Sequence, residues 1–305
     1  YDRLDIHLLA GKKATGLNIA KQTVTVGDET IEYDRLFLGV GGAPFIPPGL
    51  EGLDKLHGQV FTFTKFSDAQ ALVEKCREAQ NVVVLGAGLI GLQAAEAFAM
   101  MGKKVTVVEL ADYVLPMVSD PLASRMIQSE MEHEGVTFFL SESIDELGGK
   151  RGKLSEVRLR SGESIPADIF VIAVGVRPNV DWIREAGVAV DRGVLIDHHA
   201  RTNVETIYAG GDCAQGPELI SGSRMVLATI PIATEQGMAA GYNMASVAVE
   251  YRGGIPLNAL QFGPLQIISY GYVKEKPGQE VLSVLDEKNR IYKKRSYCFN
   301  DGTWC

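Results

Sequence analysis

The residues Asn81-Val-Val-Val-Leu-Gly-Ala-Gly-Leu-Ile-Gly91 combine an apolar run with glycines at 86, 88 and 91, and an acid, Glu109, ends the next apolar run. Strand, glycine turn, helix, strand and terminal carboxylate make one dinucleotide-binding unit, in which each part has a physical task. Gly86 permits the tight turn out of the strand. Gly88 has no side chain, so backbone can approach a pyrophosphate. Gly91 lets the helix pack closely on the strand. The start of the helix offers N–H groups without intrahelical partners and a partial positive charge to phosphate oxygens. Glu109 stands where a carboxylate accepts hydrogen bonds from a ribose diol, near the usual spacing of about 20 residues from the glycines. No lysine or arginine occurs between Leu110 and Val118 to hold a 2′-phosphate, which points to NADH over NADPH.

The elements that must position these groups follow from hydrophobic pattern. Lys13–Ile19, Thr23–Val26 and Thr30–Tyr33 read as short antiparallel strands with a turn at Gly27-Asp28. Leu36–Val40 is a continuous apolar strand, a pattern that predicts burial on both faces. Ser67–Ala79 has helical spacing with Ser67 as its cap. Pro121–Glu134 reads as a helix. Val136–Leu140, Val157–Arg160, Asp168–Val174, Gly193–Ile196 and Thr206–Ala209 read as strands, the last leading into Gly210-Gly211-Asp212. A helix is expected from about Pro231 to Val247, with Thr229 as its cap and Pro231 in its first turn. The tail from 255 has alternating strand patterns and a turn at Asp286–Asn289.

Bulk properties bound the function. The chain has 305 residues, 46% hydrophobic and 22% charged, and a net charge of −8. That length suits two or three domains. The acidic balance argues against a nucleic-acid partner, which requires a basic stripe. No apolar run reaches the length of a membrane span. The four cysteines, at 76, 213, 298 and 305, form no C-x-x-C pair and no metal-ligand spacing. Reduced thiols in a cytoplasmic protein are the expectation, with Cys213 a small buried residue.

Four segments in order resemble one family, the two-dinucleotide-fold flavoprotein reductases, or pyridine nucleotide–disulfide oxidoreductases. They are Tyr33–Pro44, the unit at 81–109, Asp168–Asn179, and Thr202–Asp212. The branch with NADH oxidases, rubredoxin reductases and nitrite reductase flavin subunits is the most similar. The resemblance implies an α/β fold with two dinucleotide-binding domains (three-layer ββα/βαβ). An NAD(P)H domain at 79–187 is inserted in an incomplete FAD domain at 1–78 and 188–254. The resemblance further implies an α+β C-terminal interface domain that begins at 255–305 and supports a homodimer.

The resemblance also implies site residues. NAD would lie against Gly86, Gly88, Leu89, Ile90, Gly91, Gln93, Glu109 and Gly175. FAD would lie against Val40, Gly41, Gly211, Asp212, Ile230 and Pro231, with Asp212 on a ribityl hydroxyl and the helix at 231 aimed at the flavin pyrimidine ring. The positive end of that helix would favour negative charge on reduced flavin. Gln93 stands where relatives carry a glutamate, Leu89 where many have an aromatic gate, and Ala43 where an arginine is usual. Glu96 shares a helix face with Gln93, and is either a site residue or a solvated surface acid.

The family begins with its own glycine fingerprint for the ADP half of FAD, and only the second fingerprint occurs here. The sequence is therefore expected to be a fragment truncated at both ends, or to take the first unit from another chain. The function implied is an NADH-dependent FAD flavoprotein reductase. Its acceptor would be rubredoxin, another iron–sulfur protein, oxygen or a small disulfide. The alternative is a non-catalytic nucleotide-binding or scaffold subunit of a redox complex.

Overall fold

The structure is a computed structural model that describes residues 4–50, 58–150, 152–275 and 277–298. The chain divides into two compact units, Tyr1–Gly42 with Arg177–Ile255, and Ala43–Val176 with Pro256–Cys305.

The second unit is built on a five-stranded parallel sheet in the order Val60–Thr62, Ile169–Ile172, Asn81–Leu85, Lys104–Val108, Val136–Phe139. Side chains alternate across a strand, so Val82 and Val84 face one layer while Val83 and Leu85 face the other. On the first side they pack with Leu72, Leu92, Phe98 and Ile127, carried by the helices Phe66–Cys76, Leu89–Met100 and Pro121–His133. On the second side they pack with Leu154, Val157 and Leu159 of an antiparallel sheet formed by Ile144–Lys150, Lys153–Leu159 and Ser164–Pro166. Helices, parallel sheet and antiparallel sheet are three layers. Burial on both faces explains why the central strands read as unbroken apolar runs.

Local chemistry sets the helix ends. The Asp120 carboxylate accepts the Leu122 and Ala123 N–H groups, and Pro121 fills the first turn. The helix expected to be capped by Ser67 instead starts at Phe66 with Lys65 at its cap position, and Ser67 lies inside it. Asp68 does the capping work backwards, accepting the Thr64 and Lys65 N–H groups at 3.1 Å each. Asp168, at the foot of its strand, accepts the Gln80 and Asn81 N–H groups and fixes the register of the neighbouring strand.

The described part of 256–305 forms two hairpins, Leu257–Phe262 with Leu265–Tyr270 and Gln279–Asp286 with Ile291–Cys298. They group with the parallel sheet. Phe262 is fully buried in its helix-side core, and Glu96 accepts the Gly263 N–H at 2.7 Å. The sheet-bearing unit begins at Ala43, where sequence placed a boundary at 78/79, because Val60–Thr62 adds an edge strand beside Ile169–Ile172.

The first unit carries the antiparallel strands Ala14–Asn18, Thr23–Val26 and Glu29–Glu32. Leu36–Leu38 pairs in parallel with Ile207–Ala209. A short sheet of Val194–Leu195, Ala214–Pro217 and Arg224–Met225 and the helix Ile230–Met244 complete it. Its core gathers Leu38, Ile183, Ile196, Ile207, Tyr208, Ala239 and Ala240. The expected two-faced burial of Leu36–Val40 does not hold. The strand stops at Leu38, and Phe37 is 38% exposed. Its ring lies over the glycines instead, 3.0 Å from where side chains on Gly39 and Gly210 would sit. Among the described residues no helix is long and apolar enough to cross a membrane.

Candidate functional site

In the second unit a cavity of about 680 Å³ opens where the parallel strands end, bordered by Leu85, Val108 and the segment Ala173–Gly175. Ligands of open parallel sheets bind at these carboxyl ends. Gly86, Gly88, Leu89, Ile90, Glu109 and Gly175 all line it.

The three fingerprint glycines differ in what surrounds them. Gly86 has φ +106°, and a Cβ there would lie 2.6 Å from the Ala173 carbonyl oxygen. A Cβ on Gly91 would lie 1.9 Å from the Gly86 oxygen, so Gly91 sits behind the cavity as a packing residue. Nothing lies within 4 Å of where a Cβ on Gly88 would stand. Gly88 occupies the cap position of the helix Leu89–Met100 and gives it no side-chain cap. An open cradle therefore faces a helix start whose N–H groups lack a side-chain partner, the arrangement that binds phosphate. Gln93 is exposed further along the helix and does not line the cavity. Glu96 is engaged with Gly263 rather than with the cavity.

Glu109 has a second task that the sequence did not reveal. Its carboxylate accepts the Ala87 N–H at 2.7 Å and the Ala111 N–H at 2.8 Å. It braces the glycine turn against the loop that follows the next strand, and each oxygen retains further acceptor capacity. That loop is ordered by Leu115, buried with φ +53°, whose N–H donates to the Ala87 oxygen at 2.9 Å. The wall formed by Leu115–Val118 was not anticipated.

The cavity's charges are one-sided. Among the described residues its lining includes the acids Glu109, Glu142 and Asp145 and no lysine, arginine or histidine. The Ser161 hydroxyl and the Ser143 N–H hold the Glu142 carboxyl below the usual carboxylate range. Glu142 was missed, although an acid just past a strand end is the signal that identified Glu109. Glycine cradle, open helix start and strand-end acid fit a nicotinamide dinucleotide.

In the first unit the Gly-Asp turn lies beside the start of the long helix. Gly211, with φ +76°, opens a short turn with Asp212 and Cys213. A Cβ on Gly211 would lie 3.6 Å from Ala233 in the helix's first turn. Buried Gln236 accepts the Gly211 N–H at 2.8 Å and locks turn to helix. Pro231 lies in that first turn and Ile230 is 83% exposed. Thr229 holds the cap position but makes no side-chain cap. The helix's nearest hydroxyl, Thr234, donates to the Ile230 oxygen instead. The helix start is thereby left open to a ligand. Asn179 ties down the loop at Val40 and Gly41, donating to their carbonyl oxygens at 3.1 and 3.0 Å. Gly41 has φ +61° and nothing within 4 Å of where a Cβ would stand. An open glycine loop, an acid on a rigid turn and an uncapped helix start fit the ribityl and pyrimidine parts of a flavin. The Cys213 thiol is buried and donates to the Leu38 and Gly210 oxygens at 3.3 Å. Burial pushes it up, so it is a packing residue. Cys76 is buried as well, while the Cys298 side chain and Cys305 lie outside the described residues.

Comparison with known proteins agrees with this geometry. A family profile described as pyridine nucleotide-disulphide oxidoreductase matches residues 3–237. The assimilatory nitrate reductase electron transfer subunit of Bacillus subtilis is 31% identical over 96% of this chain and 37% of its own length. Rubredoxin-NAD(+) reductase of Pseudomonas putida is 33% identical over 77% of this chain and 61% of its own length. The chain thus spans a little over a third to under two thirds of these relatives. The crystal structure of a FAD-dependent pyridine nucleotide-disulphide oxidoreductase from Desulfovibrio vulgaris superposes with a TM-score of 0.83 at 28% identity, over 94% of this chain and 74% of that one. Matched through most of its length in sequence and in fold, the chain belongs to the pyridine nucleotide-disulphide oxidoreductase family.

Proposed function

We propose that this chain is the redox module of an NADH-dependent FAD flavoprotein reductase. The reading is carried by the cavity at the sheet's carboxyl end, where the Gly88 cradle, the open helix start and Glu109 converge. Here the dinucleotide's phosphates meet backbone N–H groups and its ribose meets a carboxylate. The residues at 1–42 and 177–255 then form the flavin unit, and 43–176 the nucleotide unit. Bound FAD supplies the hydride-accepting and electron-passing chemistry. The chain's own part is to orient and to set charge. Gln236 holds Gly211 so that Asp212 stands in one position. The helix at Ile230–Met244 offers its positive end to an anionic ring. The apolar walls of the nucleotide cavity shield part of a bound dinucleotide from water.

The electron acceptor in this reading is a protein such as rubredoxin or another iron–sulfur carrier. Support comes from the names of relatives that reduce such partners or serve nitrate reduction. Oxygen and small disulfides are the alternatives, and no cysteine among the described residues is placed for disulfide exchange. We also assign the protein to the cytoplasm as a homodimer held through 255–305, on family resemblance and the buried free thiols at 76 and 213.

The test is an anaerobic titration. Purified protein, reconstituted with FAD, should show flavin bands that bleach on one equivalent of NADH. NADH binding with no flavin band would instead fit a nucleotide-binding subunit without redox chemistry, or a chain that takes the first FAD unit from elsewhere. NADPH bleaching the flavin faster than NADH would refute the NADH preference.

A further inference from the structure

Glu109 is placed to discriminate at the ribose, but both its oxygens already hold backbone N–H groups. A second carboxylate stands next to it. After the strand Val136–Phe139 the chain reverses at Ser141, whose φ is +55°. Ser141 donates its N–H to the Ala111 oxygen at 2.9 Å, and Glu142 donates its own to the Glu109 oxygen at 3.0 Å. The backbone of Glu142 is thereby laid against that of Glu109, the strand-end acid at the position that takes the ribose 2′-hydroxyl in dinucleotide-binding units. Both residues line the same cavity. Glu142 takes neutral donors, the Ser143 N–H at 2.8 Å and the Ser161 hydroxyl. The third acid of the lining, Asp145, differs because Arg158, which pairs with Glu146, also stands 3.9 Å from it.

We infer that Glu142 is a specificity-determining residue of the nucleotide site, excluding 2′-phosphorylated dinucleotides by charge repulsion that adds to that of Glu109. The inference rests on the nicotinamide-dinucleotide reading of this cavity. A 2′-phosphate carries close to two negative charges, and placing it beside an uncompensated carboxylate at partly solvated separations costs on the order of tenfold in affinity. Removing Glu109 alone therefore leaves part of the discrimination in place.

The experiment is calorimetric titration of the whole chain with NADH and with NADPH, for the wild type, Glu109→Ala, Glu142→Gln and the double variant. Glutamine keeps an acceptor for the Ser143 N–H and removes only the charge. The ratio of NADPH to NADH dissociation constants should fall about tenfold in Glu142→Gln at low salt, and further in the double variant. The fall should shrink in about 0.5 M salt, because screening weakens repulsion. A merely structural role for Glu142 would show no such salt dependence. An unchanged ratio in Glu142→Gln, with NADH still bound, overturns the inference and leaves the nucleotide reading standing. An Asp145→Asn change as large as that of Glu142→Gln also overturns it. Failure of the wild type to bind NADH at all removes the nucleotide reading and the inference together.

Discussion

At the scale of the residue, Gly88 and Gly91 belong to one motif but answer to different forces. A methyl group at Gly91 has no room, since the Gly86 oxygen stands 1.9 Å away and is itself part of a turn that cannot move. Gly91→Ala should cost about 3 kcal/mol or more, an overpacking loss, visible as a thermal midpoint lowered by roughly 6–12 °C. A methyl group at Gly88 meets nothing, and its φ of −78° suits alanine. Gly88→Ala should keep the wild-type midpoint within about 1 °C yet weaken NADH binding about tenfold or more, as the methyl occupies the phosphate approach. Melting curves and NADH titration of the two variants check this, and a Gly88→Ala protein that binds NADH normally would deny the cradle its role. The motif was legible in sequence because glycine spacing and a strand-end acid are local signals. The bracing of Ala87 and Ala111 by Glu109, and the approach of Glu142, were not. They depend on how two strand ends meet, which no spacing along the chain encodes.

Elements show where pattern suffices and where it fails. Asn81–Leu85 and Lys104–Val108 are buried on both faces and announce themselves. The strand Ile144–Lys150 was missed because Gly148-Gly149 breaks its alternation and a register shift falls between them. Val60–Thr62 is three residues long, too short to show a period. Ser67 lost the cap to Lys65 because Asp68 found better donors in the preceding loop. The final hairpin is held to the helix Pro121–His133 through Asp120. That carboxylate caps the helix, accepts the Tyr292 hydroxyl at 2.6 Å and pairs with Lys294 at 3.0 Å. Burial raises the Asp120 carboxyl, but these donors outweigh it and hold it below the ordinary range. Burial and the bond to Asp120 push the Tyr292 phenol from 10.0 to about 12. A folded-state value above the unfolded one gives stability that is complete below pH 10 and lost as the pH rises through about 12. Tyr292→Phe should therefore loosen the hairpin by about 1–2 kcal/mol at pH 8. The gap between variant and wild type should close between pH 10 and 12. Amide exchange in Ile291–Cys298, followed in both proteins across that range, measures it, and a gap that stays constant with pH would show that the hydroxyl is not the latch.

At the scale of the whole molecule, the two units carry their candidate sites on separate scaffolds. Each has its own core. Val82, Leu92 and Ile169 stand in one, Leu38, Ile207 and Tyr208 in the other. Each has an uncapped helix start beside a glycine turn, Gly88 with Leu89–Met100 and Gly211 with Ile230–Met244. Substitutions that share no partners add nearly independently. A substitution confined to one site should then change one ligand's affinity and leave the other's alone. Asp212→Ala removes the acid from the Gly211 turn while Gln236 still holds the turn's backbone. It should weaken FAD binding about tenfold, the loss of one charged hydrogen bond, with NADH affinity within about twofold of wild type. Gly88→Ala should do the reverse. Fluorescence titration with FAD and calorimetry with NADH on both variants test the pair of statements. If Asp212→Ala lowers NADH affinity as much as FAD affinity, the two units do not bind their ligands independently, and the division of labour between them has to be redrawn.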